Sequence, residues 1–329
     1  MRIPGEKSIR RGVRWLGSRF RPGGLVLLYH RIADADDAVD PFSLCVSRRH
    51  FADHLEILQR FATVVSLEEM WLAAREGRLP PRSVAVSFDD GYADNLYNAK
   101  PLLEEYGSPA TVFVVAGCLG GTFWWDRLID AVFRPTRLPD RLRLTIAERI
   151  YEWRPDNGDP RQRRRLLRQL FRLLRDLPED ERQRAMEVLG SWSGNTLATS
   201  PHRRPLTRDE LVELSDVGAI EVGAHGMTHH PLSALSKAEQ QSEISDSKSV
   251  LEEIVQRPVT SFSYPFGLAR DFTAMSVALV AGSGFDRAYT NICDVVRPTS
   301  DPHQLPRYWV RDWDGERFRR LLGRWLGLS

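Results

Sequence analysis

Cysteine is scarce in this chain of 329 residues: Cys45, Cys118 and Cys293 are far apart and form no C-x-x-C pair. That argues against a disulfide framework and a thiolate zinc site, and it fits a reducing compartment. Long apolar runs are missing too. No stretch approaches the roughly 18 apolar residues of a membrane-spanning helix. The N-terminal "MRIPGEKSIRRGVRWLGSRFRPGG" has no apolar core of the kind a signal peptide requires. The expectation is a soluble, cytoplasmic protein. Charge of one sign is not in excess either, since 46 basic against 44 acidic side chains leave +2. A chain-wide electrostatic footprint for nucleic acid is therefore absent, and no nucleic-acid partner is expected. Internal repeats and low-complexity tracts are also lacking. With 42% hydrophobic residues the chain can bury a sizeable core, as one large domain or two small ones.

The first 22 residues stand apart. Ile9, Val13, Leu16 and Phe20 recur at helical spacing among Lys7, Arg10, Arg11, Arg14, Arg19 and Arg21. A basic amphipathic helix over residues 7–21 can lie on an anionic membrane surface at the inner face, or pack against its own domain. Residues 23–329 then form the main domain.

Short β-branched runs recur along that domain: "LVLLY" (25–29), "FATVV" (61–65), "SVAVSF" (83–88), "ATVFVV" (110–115), "AIEVGA" (219–224), "VTSFSY" (259–264), "RAYTN" (287–291) and "YWV" (308–310). Helical patterns lie between them, which predicts an α/β fold with a mostly parallel sheet or barrel. Ser66 with Glu69 and Ser236 with Glu239 read as capping boxes, the second opening a helix whose Ile244, Leu251 and Ile254 face inward. From about residue 135 to 202 the alternation stops. Leu166, Leu170 and Leu174 make one stripe among arginines, predicting an inserted helical subdomain without strands.

In folds of this kind ligands gather at the C-terminal ends of the strands. There the stretch "VAVSFDDGYADN" places Asp89 and Asp90 side by side. Two adjacent carboxylates repel, and burying one unpartnered costs several kcal/mol, so either a solvated Asp-Gly turn or a cation must hold them. A second strand ends in "GAHGMTHH", with His225 and His229 four residues apart and His230 beside them. Two histidines and one aspartate make a three-ligand set with an open position for water, the form of a catalytic divalent-ion site. The other aspartate, unligated, is then free to accept a proton.

These residues resemble the polysaccharide deacetylases, also called carbohydrate esterase family four or the nodulation-deacetylase homology domain. The family's T-F-D-D-G is similar to Ser87-Phe88-Asp89-Asp90-Gly91, and its H-[S/T]-x-x-H to His225-Gly226-Met227-Thr228-His229, with Gly226 in the hydroxyl position. The resemblance implies Asp89 as catalytic base and Asp90, His225 and His229 as metal ligands. The ion is expected to be Zn²⁺, with Co²⁺, Ni²⁺ or Fe²⁺ as alternatives. The third motif, R-x-P-[Y/F], resembles Ser263-Tyr264-Pro265-Phe266, so its arginine, which orients the base, is missing. Arg307 in "QLPRYWV" is the candidate to supply that charge. The late L-x-H motif is also absent. "LLYHRI" resembles the poly-N-acetylglucosamine deacetylase branch, in which a histidine after the first strand is the acid, making His30 the candidate and His303 its alternative. "GTFWWDRL" resembles the same branch, offering Trp124 and Trp125 to stack on a pyranose and Asp126 to bond its hydroxyls, beside Tyr264, Pro265 and Phe266. The implied fold is a deformed (β/α) barrel, and the implied activity is metal-dependent removal of N-acetyl groups from hexosamines of an N-acetylated glycan, whether a polysaccharide, an oligosaccharide or a lipid-linked precursor, with release of acetate. Hydrolysis of another amide or imide, and a non-catalytic glycan-binding or membrane-associated scaffold, are the other readings.

Overall fold

A computed structural model describes residues 23–34, 40–155, 159–194, 203–216, 218 and 220–327. The basic segment over residues 7–21 lies outside the described residues. In chain order the elements are β1 (Leu25–Tyr29), β2 (Arg31–Ile32), β3 (Cys45–Val46), α1 (Arg48–Phe61), β4 (Thr63–Val64), α2 (Leu67–Arg75), β5 (Ser83–Phe88), α3 (Lys100–Glu105), β6 (Ala110–Val114) and α4 (Trp124–Phe133). There follow β7 (Leu142–Ile146), β8 (Arg149–Trp153), α5 (Pro160–Arg175), α6 (Glu179–Ser193), α7 (Arg208–Ser215), β9 (Ile220–Ala224), α8 (Lys237–Val255), β10 (Ser261–Ser263), α9 (Ala274–Gly282), β11 (Arg287–Tyr289), β12 (Tyr308–Trp309) and α10 (Gly315–Trp325).

The main sheet runs β11-β10-β9-β6-β5-β1-β12, with β4 beside β5, and its pairings are parallel. Parallel strands need crossovers, and the helices between them supply these. The sheet curls almost shut, because Leu305, just before β12, bridges to Tyr289 of β11. This is the deformed (β/α) barrel that the alternating pattern predicts.

Strand parity sorts the side chains. Val26, Ala85, Phe113 and Tyr289 share one face and fill the lumen, closed at the N-terminal end by Met70 and Trp71 of α2. Leu25, Leu27, Val84, Val86, Phe88, Val112 and Val114 face outward and pack with α1 and α8. Both expected capping boxes are formed. Ile244 and Leu251 are buried, with Ile254 packed at their edge.

The insertion differs from its expectation in one respect. Leu166, Leu170 and Leu174 are buried on α5 as a stripe, but β7 and β8 form an antiparallel hairpin ahead of it. Leu142, Leu144 and Ile146 point into the core while Arg143 and Thr145 stay exposed. Ala147 and Glu148 both take positive φ in the two-residue turn between the strands, as tight hairpins require. The insertion shares one apolar core with α4, Tyr92 and Val115, so it is built onto the barrel mouth. Among the described residues no helix is long and apolar enough to cross a membrane.

Candidate active site

Asp89 and Asp90 leave the C-terminal end of β5 in different directions. Asp89 continues the parity of Ala85 and Ser87 and points into the lumen, where Arg307 waits, itself fully buried with its guanidinium 5.4 Å from the Phe113 ring centroid. Arg307 donates from Nη1 to Asp89 Oδ1 and from Nη2 to Asp89 Oδ2, both at 2.7 Å. Further donations go to Ser263 Oγ and Asn291 Oδ1, each at 2.8 Å. Such a bidentate, charge-assisted pair fixes a carboxylate in orientation as well as in charge. Burial pushes Asp89 up, but the Arg307 charge and then His225 hold it below the usual carboxylate value.

The residue that replaces the expected motif arginine, Ser263, is part of the same arrangement. Its hydroxyl donates to Asp89 Oδ2 at 3.3 Å, and its carbonyl accepts from His225 Nδ1 at 2.7 Å. That bond commits the Nδ1 proton and leaves the His225 Nε2 lone pair facing Asp90 Oδ1, 3.7 Å away. His229 Nε2 lies 3.4 Å from the same oxygen.

Asp90, His225 and His229 are all buried, with ligand atoms within 4.8 Å of one another. Burial, then the charges of Asp89 and Asp126, push Asp90 well above the carboxylate range. Burial, then His225, pushes His229 well below the imidazole range. Neutral imidazoles are the ligating form, and a cation offsets the cost of a charged Asp90. The donor set fits one divalent ion. Its backbone is unusual, since Asp90, His229 and Phe266 all take positive φ, at 75°, 57° and 62°. Such conformations persist only where the surroundings over-determine them.

These groups open into a cavity of about 200 Å³ lined also by His30, Phe42, Leu44, Trp125, Phe171, Phe266, Asn291 and Trp309. His30 stands at its edge, its ring centroid 5.0 Å from that of Trp309 and its buried Nδ1 without a hydrogen-bond partner. Burial pushes its imidazole down to about 3, against the opposing pull of Asp89. His303 lies elsewhere, its Nε2 donating to the Phe285 carbonyl just ahead of β11.

The expected substrate contacts divide. Trp125 and Phe266 face the cavity, their ring centroids 4.7 and 4.6 Å from that of His229. Tyr264 does not reach it. The ring is fully buried against Phe272, with its hydroxyl donating to the His303 carbonyl. Pro265 is buried and also off the cavity wall. Trp124 stacks behind Phe171 at 5.1 Å. Asp126 works one layer back: Trp125 Nε1 donates to the Tyr92 hydroxyl at 2.8 Å, which donates to Asp126 Oδ2 at 3.0 Å. Sequence reasoning missed Asn291, Phe42, Phe171 and Trp309. Asn291 and Trp309 had a signal, since both stand in or at the ends of predicted strands.

The model for polysaccharide deacetylases matches residues 76–139 and 173–282, about half of the chain. Among curated relatives, a putative polysaccharide deacetylase YxkH of Bacillus subtilis is 21% identical over 74% of this chain. Poly-β-1,6-N-acetyl-D-glucosamine N-deacetylase of Staphylococcus aureus is 30% identical over 29% of it. These matches span 56% and 37% of the relatives' own lengths. Two solved structures share the fold at a TM-score of 0.59 each. The Streptococcus pyogenes deacetylase PplD, in complex with acetate, is 17% identical over 92% of this chain and 99% of its own. IcaB from Ammonifex degensii is 18% identical over 94% and 98%.

Proposed function

This chain belongs to the polysaccharide deacetylase family, and from that premise we propose that it is a metal-dependent hydrolase removing N-acetyl groups from hexosamines of a glycan. The observation that carries the reading is the division between two adjacent carboxylates. Asp90 joins His225 and His229 in a three-ligand set, while Asp89 is held out of that set, ionised, by Arg307.

A divalent ion held there would acidify a water and stabilise negative charge on the acetamide oxygen. Asp89, its oxygens fixed by Arg307 and Ser263, accepts a proton from the attacking water. Asn291 is tied to Arg307 on one side and to the Phe266 carbonyl on the other, the latter at 2.7 Å, and holds that wall in place. His30, kept neutral at rest by burial, relays the proton that Asp89 has taken from the water to the nitrogen as the C–N bond breaks, which returns Asp89 to its ionised form. Trp125, Phe266 and Trp309 offer apolar faces to the pyranose ring and exclude bulk water. Acetate and a free amino sugar leave.

The test is acetate release by metal-reconstituted protein from a panel of N-acetylhexosamine oligosaccharides, with His225→Ala as the control. Release that vanishes in the variant supports the reading. Release that persists in it, or silence across the panel with metal bound, overturns it.

A further inference from the structure

Gly226 stands where a hydroxyl residue is expected, and the structure gives a physical reason. Its φ is +77°, and a Cβ there would lie 2.9 Å from Glu243 Oε2. The Glu243 carboxylate reaches from α8 and is buried under the loop that joins the two candidate histidine ligands. Glu243 Oε2 accepts from the backbone N–H groups of Met227 at 2.7 Å and Thr228 at 3.0 Å, and Oε1 accepts from the Thr228 hydroxyl at 2.6 Å. One carboxylate thus satisfies three donors within the three residues that lie between His225 and His229.

The far side of the loop is held by the insertion. Thr228 Oγ1 is 2.6 Å from His230 Nδ1, and His230 Nε2 donates to the Leu177 carbonyl, between α5 and α6, at 2.6 Å. Arg182 of α6 donates to the Thr228 carbonyl at 3.3 Å. Neither Glu243 nor His230 lines the cavity. Glu243 is bonded to the backbone and side chain of the loop, and His230 ties that loop to the insertion.

We infer that Glu243 is a positioning residue for the metal-ligating loop, fixing His225 and His229 at their separation through Thr228, and that Gly226 is there to admit its carboxylate. This rests on the metal-site reading above. Groups that orient metal ligands from one layer out are typically worth 10- to 100-fold in metal affinity. A group that only stabilises the fold shifts the melting temperature and leaves that affinity alone.

The experiment is titration of the purified chain with cobalt(II), followed by its visible absorption, alongside thermal melting without metal. His225→Ala defines the loss of the site. Glu243→Ala should weaken cobalt(II) affinity 10- to 100-fold, whereas Glu243→Gln, whose amide oxygen can still accept from both N–H groups, should stay within about threefold of wild type. Gly226→Ala should weaken affinity by displacing the carboxylate, and with Glu243→Ala already present should add little, because both act on one contact. If Glu243→Ala does not fold, Glu243→Asp, one methylene short, and Thr228→Val carry the test, each expected to weaken affinity severalfold. A folded Glu243→Ala, or in its stead the Asp and Val pair, with wild-type cobalt(II) affinity overturns the inference alone. Wild-type protein that binds no cobalt(II), or binds it equally after His225→Ala, overturns the metal-site reading and the inference with it.

Discussion

Arg307 and Asp89, separated by 218 positions in the chain, form a two-point ion pair buried in the barrel lumen at the floor of the cavity. Removing either member of a buried pair leaves the other charge without compensation, which typically destabilises by about 3–5 kcal/mol. Arg307→Met is therefore expected to lower the free energy of unfolding, measured by urea titration, by that amount and to suppress turnover. Arg307→Lys, which keeps charge but loses the planar fork, should fold better than Arg307→Met and still turn over slowly. An Arg307→Met protein as stable and active as wild type would contradict the pairing.

Asp89→Asn removes the proton acceptor and keeps the shape. Turnover should drop by about 10² to 10⁴, the span of a positioned general base, while affinity for a divalent ion stays, because Asp89 lies outside the Asp90, His225 and His229 set. The comparison needs both numbers from one preparation, and undiminished acetate release would remove Asp89 from the mechanism.

Phe171 brings the insertion into the active-site cavity, with its ring centroid 4.6 Å from that of Phe42 and 6.1 Å from that of Phe266. Aromatic contacts of this kind are worth about 0.5–1.5 kcal/mol each. Phe171→Ala should raise KM about 2- to 10-fold with kcat little changed. Steady-state kinetics on the best oligosaccharide of the panel decides it, and an unaltered KM would mean that substrate does not touch this wall.

His54 sets a pH dependence remote from the chemistry. It is buried on α1, stacked on Phe318 of α10 at 3.9 Å, with Nε2 donating to the Trp313 carbonyl at 2.7 Å. Burial pushes its imidazole down to about 4, against the pull of that carbonyl. An exposed imidazole titrates near 6.5. Between those values the unfolded chain binds the extra proton, so stability falls as pH drops through the window, by up to about 1.4 kcal/mol per pH unit, and is intact above it. Urea unfolding at pH 5 and pH 7 should show a smaller difference for His54→Gln than for wild type.

The strand ends were legible because parallel barrels put chemistry at one place in each repeat. Asp89, Asp90, His225 and His229 stand beyond the ends of apolar runs and Arg307 just before the start of one, and the structure brings all five together. The walls were harder to read. Trp124 and Trp125 are identical in kind, but successive helical positions point about 100° apart, so only Trp125 can face the cavity while Trp124 packs behind Phe171. Tyr264 sits in a motif position, yet its ring turns down onto Phe272. Phe42, Phe171 and Trp309 come from three distant segments and meet only when the insertion folds over the barrel mouth. The β7–β8 hairpin carried a period-two signal in "LRLTI", overshadowed by the helical arginine pattern that follows it.

Asp90, His229 and Phe266 are three of eight non-glycine residues in the described chain whose backbone is left-handed. Each such conformation costs about 1–3 kcal/mol. A protein shaped by stability alone would place glycine at all three positions and lose a ligand, a second ligand and a wall. Resistance to denaturation and catalytic competence therefore pull in opposite directions at the same three residues. Gains in thermal endurance are best sought in the outer helices and in the insertion's surface, where relaxation of the backbone leaves the reacting groups undisturbed.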